Sequence, residues 1–492
     1  MSSLVSSLFW PQLLPELAEH IISFLPPNEV ACTVRLINKA AAAQFSGPRF
    51  TTVKLSSPVP EHAFAQHWGR PGAMRGLTHK QRLQLLCLTA RSGSTRNLEL
   101  GIASAGLALP PVSYLGIDLM KAAGAAGHLE ACAWLWQQHG CPLYAAIAGA
   151  AGGGHRAICE WGLAAGCPWN DSFAFEAACG GHVGLMEWLL QLCPPGAPPC
   201  LARYVVQAAA VGCGLADLQR LHHAWLGVEE QQGNPDAGQF ARYVEIHKSC
   251  TLAAAARSRT PDWQAKVEWL EARGYPKSVM ACSDVAACAD AEDRLKWLHS
   301  RGYPLPPLII LERLAAEGSC QALQYLLGAG MRPPAACSRR AAAAGGQLAA
   351  LQLLHDHGCP MDADTVRAAA SAGHLHVLVW LVEVMGDELL LDVEVFIAAA
   401  QSGNLELLRW LRERGCPWDG ETFAEAASGG CEEALEWLVE QGCPMGDDGR
   451  PYLAADYNGD TAIRNCLRRL GCPGGTPAGR ADTTVAGLGL HG

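Results

Sequence analysis

The sequence predicts an all-α protein built by repeating one small helix-turn-helix unit along most of its length. Three observations predict it. First, a bulky residue follows a glycine at seven positions, over and over: Gly127/Trp134, Gly154/Trp161, Gly181/Trp188, Gly318/Tyr325, Gly346/Leu353, Gly373/Trp380, Gly403/Trp410 and Gly430/Trp437. Trp269 and Trp297 keep the step with Asp262 and Asp290 in the glycine's place, and degenerate copies lie at Gly93/Leu100, around Gly212 to Leu221, and at Gly459/Cys466. That makes about thirteen units between residues 81 and 472. Second, Gly-Cys-Pro recurs at Cys141, Cys167, Cys359, Cys416, Cys443 and Cys472. Third, strand-type alternation is scarce while alanine and glycine abound. A fixed period of about 27 to 30 residues means a stacked solenoid, because one unit is too small to bury its own apolar face.

The copy from Ser402 to Gly430 shows the unit most clearly. Gly403 is a turn, and Asn404 is placed to cap a helix carrying Leu405, Leu408, Trp410 and Leu411. Glu406 lies in its first turn and Arg409, Arg412 and Arg414 in its last turns, as the helix dipole favours. Gly415 stops this helix and Pro417 prevents it from resuming. Asp419 and Thr422 offer caps for a second, alanine-rich helix, Thr422 standing at capping-box spacing from Glu425. Alanine pairs such as Ala177-Ala178, Ala369-Ala370 and Ala426-Ala427 let such helices approach closely.

Residues 11–50 do not follow the repeat. PQLLPELAEHIISFLPPNEVACTVRLINKAAAAQF predicts a short helix from Pro15, a break at Pro26-Pro27 and a second helix from near Asn28. Leu17, Ile21, Ile22 and Leu25 form an apolar stripe on the first helix; Val30, Val34 and Ile37 supply the second. Repeat arrays need end caps, and this segment can serve as one. It also resembles the F-box, a module of about 40 residues in substrate-receptor subunits of cullin-type ubiquitin ligases. The residues that carry the likeness are Leu13, Pro15, Glu16, Leu17, Ile21, Ile22, Leu25, Pro26, Pro27, Val30, Leu36 and Asn38. Leu14 stands where the family usually has proline, and Ala40 to Ala43 replace a bulkier end.

Residues 51–80 mix Pro, Gly, Ser and His and predict a connector with one short helix around Glu61 to Trp68. The array follows over 81–472, interrupted around 227–243 by a polar, turn-rich insertion; such insertions map to loops on one face of a solenoid. The stretch after Trp380, VEVMGDELLLDVEVF, predicts a lengthened acidic loop. The tail, 473–492, lacks large apolar groups and is expected to be disordered. The units themselves resemble ankyrin repeats, through Gly127-His128-Leu129, Gly181-His182-Val183 and Gly373-His374-Leu375 followed by a Leu- or Trp-bearing helix. The Thr-Pro-Leu-His start of that family is absent, and the period is shorter than its ~33 residues.

Composition excludes several functions. A net charge of −10 gives no basic face for nucleic acid. No run of 18 bulky apolar residues predicts a membrane span. The 21 cysteines contain no C-x-x-C. Equivalent cysteines in stacked repeats lie roughly 8–10 Å apart, beyond the ~7 Å reach of a disulfide and too far to share one zinc. Reduced thiols acting as small apolar fillers are expected, and with them a cytoplasmic or nuclear setting. His355, His357 and Cys359, with His374 and His376 beyond, have some metal-ligand character. His355 and His357 nevertheless fall at a helix end and His374 in a capping position, so structural roles are expected. No phosphate loop, G-x-S-x-G or H-E-x-x-H occurs, and neither an enzyme nor a cofactor or metal is expected.

The resemblances together imply a non-catalytic adaptor: Leu13, Pro15, Glu16, Leu17, Ile21, Ile22, Leu25, Pro26 and Val30 docking on a Skp-type adaptor, and the solenoid holding an unidentified protein target. Trp169, Trp418, Glu229, Glu230 and Asp236 are the candidate target contacts, since exposed aromatic anchors commonly dominate interfaces. The alternative is a protein-binding scaffold with no ubiquitin link.

Overall fold

The structure, a computed structural model, describes residues 14–110, 113–194, 200–226, 239–305, 309–331, 337–386 and 391–474. The candidate contacts Leu13, Glu229, Glu230 and Asp236, and most of the tail, lie outside them. From His79 the chain runs through thirteen helix pairs, from His79–Ser92 with Thr95–Ala105 to Arg450–Tyr457 with Thr461–Arg469. The first helix of each pair packs on the first helices of its neighbours in chain order, which forms an inner layer; the second helices form an outer one. No strand occurs among the described residues, only an isolated antiparallel bridge between Leu107 and Asp460.

Glycine ends both helices of a unit in the same way. Gly154 (φ +78°) follows the inner helix Leu143–Gly153, and the His155 N–H reaches back to Ala150 O at 2.8 Å. Gly415 (φ +74°) follows the outer helix Leu405–Glu413, and the Cys416 N–H reaches Leu411 O at 3.1 Å. Each is a six-residue closure with glycine in the left-handed position, which satisfies carbonyls a helix end would otherwise orphan. Gly-Cys-Pro is therefore a helix stop: glycine supplies the turn, cysteine the inward apolar residue, and proline the exit. Cys141, Cys359, Cys416, Cys443 and Cys472 are buried, Cys167 partly so, and every described cysteine is a free thiol. Asn404 caps its helix as expected, accepting from the Glu406 and Leu407 N–H groups. The next helix is capped by Asp419 alone. Thr422 sits one turn inside it and returns the capping-box bond to the Asp419 N–H, the part the sequence spacing assigned to Glu425.

Small residues set how closely inner helices approach. A Cβ on Gly124 would come within 2.3 Å of Ala146 O, and one on Gly149 within 2.3 Å of Lys121 O, so Tyr114–Ala125 and Leu143–Gly153 interlock backbone to backbone. Most tryptophans of the outer helices are half-buried against this core, and Trp263 is buried within it.

A side-chain donor from one unit serves the carbonyls at the C-terminal end of the preceding inner helix. His128 Nε2 donates to Arg91 O (3.0 Å), His374 Nε2 to Ala344 O (3.0 Å) and Asn404 Nδ2 to Gly373 O (2.8 Å). The histidine rings lie over the turn glycines of the unit before: Gly93 meets His128, Gly127 meets His155, Gly154 meets His182 and Gly346 meets His374. Where Asp262 and Asp290 begin the outer helix, a cation takes over. Lys266 Nζ reaches Ala210 O (3.3 Å) and Arg294 Nη1 reaches Ala256 O (2.5 Å). Lys266 is fully buried; burial pulls its ammonium below the usual lysine range, with Asp262 opposing.

The two ends of the array meet. Arg82 Nη2 donates to Gly430 O at 2.8 Å, and His79 lies against Gly430 through its Cβ and backbone nitrogen. Arg82 also forms a buried ion pair with Asp460, including Nη1 to Oδ1 at 3.1 Å, and donates to Ala105 O at 2.6 Å. The Ala108 N–H donates to Gly459 O (2.8 Å), and the Ala462 N–H and Thr461 Oγ1 both donate to Gly106 O (3.1 and 2.7 Å). Beside them Arg75 pairs with Glu436, and Arg469 with Glu432 and Glu436. The solenoid is thus a closed turn whose first unit lies across the turns of the last ones.

Candidate docking surfaces

The N-terminal segment has a core of its own. Ala18, Ile22, Val30, Val34 and Phe45 form a cluster separate from that of the array, with Leu25, Ile37 and Phe50 against it. Ala18 and Ile22 come from the helix Pro15–Ser23, Val30 from Pro27–Cys32 and Val34 from the short turn Val34–Leu36, and Phe45 follows the helix Lys39–Gln44. Proline opens the first two helices, where its missing N–H is no loss. The helix Pro15–Ser23 is apolar on two faces. Ala18, Ile22 and Leu25, at spacings of 4 and 3, turn inward. Leu14, Leu17, Ile21 and Phe24, at 3, 4 and 3, stand in solvent at 63, 50, 47 and 75% exposure, joined by Leu36 at 72%. No other apolar side chains of that size are so grouped along one described helix.

This corrects the sequence assignment. Leu17 and Ile21 are free for a partner, as are Glu16 and Pro26. Ile22 is 4% and Val30 1% exposed; they hold the module together and cannot dock, and Leu25 is half-buried with them. Leu14 and Phe24, left out of the expected contact set, belong to the exposed stripe. Their 3-4-3 spacing with Leu17 and Ile21 was present in the sequence, beside an equally good inward stripe.

The connector is not slack. Asn28, 1% exposed, donates from Nδ2 to Lys54 O, Ser57 O and Pro58 O (2.8, 3.1 and 3.0 Å) and accepts the Lys54 N–H at 2.9 Å. Asn97, on the first outer helix, donates to Val59 O at 2.8 Å. Two buried asparagines thus bracket residues 54–59 between the module and the array. The expected connector helix forms as Glu61–Trp68, with Phe64 buried.

Trp169 and Trp418 do not stand free. Trp169 Nε1 donates to Leu189 O at 2.9 Å. Trp418 packs edge-on against Phe396 and Trp437 and carries the Arg412 guanidinium at 3.9 Å from its ring centre. Both are partly buried between units, not the exposed side chains the sequence suggests.

The histidines have structural partners. His355 packs edge-on against Trp380, His357 Nδ1 bonds Leu353 O (2.9 Å), and His376 Nε2 bonds Gly346 O (3.1 Å). Among the described residues one cluster, Glu432, Glu436 and Cys466, has metal-ligand proximity. It does not suit a cation: Arg75 and Arg469 already hold both carboxylates, and burial pushes the Cys466 thiol up to about 12. Other filler thiols behave alike; burial, with Asp392 and Asp419 adding to it, pushes Cys416 and Cys443 up to about 12. These thiols are poor nucleophiles.

Among the described residues no helix is long and apolar enough to cross a membrane. Compared with known proteins, the chain matches no protein-family model, and no curated protein matches it.

Proposed function

We propose that this chain is a non-catalytic substrate-receptor subunit of a cullin-type ubiquitin ligase. In this reading the F-box-like module docks on the Skp-type adaptor, and the ankyrin-like array holds a protein target. The observation that carries it is the solvent-facing stripe Leu14, Leu17, Ile21 and Phe24 on a module with a separate core. A plain end cap would turn its apolar residues toward the array. Burying a side chain of this size contributes roughly 1.5–3 kcal/mol, and four such anchors together offer a partner a gain from which the cost of association must be subtracted. The asparagine brackets support the same reading. A stiff joint fixes the distance between two sites, and a fixed distance is what raises the local concentration of a held target near a transferring enzyme.

The test is capture by a recombinant Skp-type adaptor. Leu17→Asp with Ile21→Asp places two charges on the stripe without touching the module core. Capture is expected to fall at least about 100-fold, roughly 3 kcal/mol, with far-UV helicity unchanged. A wild-type chain that captures no adaptor sinks the proposal and leaves a protein-binding scaffold.

A further inference from the structure

The junction between the two ends is unusually rich in charge. Neighbouring units meet mainly through alanine, leucine and tryptophan, with ion pairs such as Arg220–Glu187 and Arg301–Glu271 added at some junctions. The ends meet through charge: Arg75, His79 and Arg82 on the first unit and its approach face Glu432, Glu433, Glu436 and Asp460, with Asp456, Arg464 and Arg469 alongside. The head is cationic where the tail is anionic.

The same junction gathers unmet hydrogen-bonding groups. Among the described residues, eleven buried side-chain nitrogens and oxygens lack a hydrogen bond. Four of them are Arg75 Nε, His79 Nδ1, Arg82 Nε and Arg464 Nε. His79 Nδ1 stands 3.5 Å from the Asp460 carboxylate and Arg75 Nε 3.9 Å from that of Glu432, near enough for charge and too far for a good bond. Such groups regain water when the junction parts, which lowers the cost of parting it. The hydrogen bonds to backbone across it are few and local: those of Gly106 and Ala108 with Gly459, Thr461 and Ala462, those of Arg75 with Cys431 and Glu433, and that of Arg82 with Gly430.

We infer that this seam is an ionic latch at which the closed array opens and recloses while the stack of units stays intact. The first unit is bracketed through Asn97 and Asn28 to the N-terminal module, so opening carries that module away from the last three units. The latch therefore sets the spacing between the two ends of the molecule, whatever each end binds.

Small-angle scattering of the full-length protein tests it. Raising NaCl from about 0.1 M to about 1 M shortens the screening length from roughly 10 to 3 Å. Radius of gyration and maximum dimension are expected to rise with it, far-UV helicity holding. Arg75→Glu, at a partly exposed position, is expected to open the array already at low salt. Adding Glu432→Arg and Glu436→Arg, with Arg469→Glu, restores charge complementarity and is expected to reclose it. Dimensions unchanged by salt and by Arg75→Glu overturn the inference. So does an expansion that comes with loss of helical signal, since the seam then cannot be separated from the fold.

Discussion

At Gly154 one missing carbon atom decides how closely two units stack. A Cβ there would come within 2.6 Å of the His182 ring, and the residue has φ +78°. Gly415 has nearly the same backbone (φ +74°) but nothing within 4 Å of the added atom. The two glycines are alike in sequence role and differ in surroundings, so they separate backbone strain from packing. Gly415→Ala is expected to destabilise by about 1–2 kcal/mol, the left-handed penalty alone. Gly154→Ala is expected to add roughly 1–3 kcal/mol for displacing the ring. Urea unfolding midpoints of the two variants check this; equal shifts refute it. The glycines, the Asn404 cap and the cysteine stops were legible in the sequence because each acts within a few residues. The histidine's task was not: its partner lies a whole unit away, as His128 to Arg91 and His374 to Ala344 show.

The helix Pro15–Ser23 shows where pattern reading stops. Leu14, Leu17, Ile21 and Phe24 make one stripe, Ala18, Ile22 and Leu25 another, and nothing local says which faces inward. That choice is settled by Val30, Val34 and Phe45 on later helices, which is tertiary information. The two faces should respond differently. Ile22→Ala removes part of a small core and is expected to lower the module's stability by about 2–4 kcal/mol. Leu17→Ala, half-exposed, is expected to stay within about 0.5 kcal/mol. Amide hydrogen exchange over residues 15–51 reads this out locally, apart from the array. Comparable loss of protection in both variants means the inward and outward faces are misassigned.

For the whole molecule, the repeat count, the helical class and the stacking were legible from a period, but the closure was not. Arg82 and Asp460 lie 378 positions apart, and their meeting reflects a small rotation per unit accumulated over thirteen of them, which no periodicity reveals. Their pairing carries a pH dependence. Burial alone would raise the Asp460 carboxyl, but the His79 imidazole 3.5 Å away, with the hydrogen bonds and charge of Arg82, outweighs it and holds it below the usual carboxylate range. A carboxyl depressed in the folded state stabilises above its ordinary pKa of about 3.9, and that contribution is lost as pH falls through the lower folded value. The amides of Ala108 and Ala462 are thus expected to stay protected at neutral and mildly acidic pH and to lose protection below about pH 4. Asp460→Asn is expected to weaken protection at neutral pH and to flatten the acid dependence. Wild-type protection that does not vary with acid would show the pair to be irrelevant to the junction.

Closure also bears on how such a chain can change over generations. An open row of bricks tolerates an extra copy or a lost one, because only the terminus moves. In a loop joined between residue 82 and residue 460, one duplication shifts which turn meets the head, and Arg82 faces a carbonyl with no aspartate beside it. Closure thus favours the present count of thirteen units, and added length is expected to be taken up in the loops between bricks.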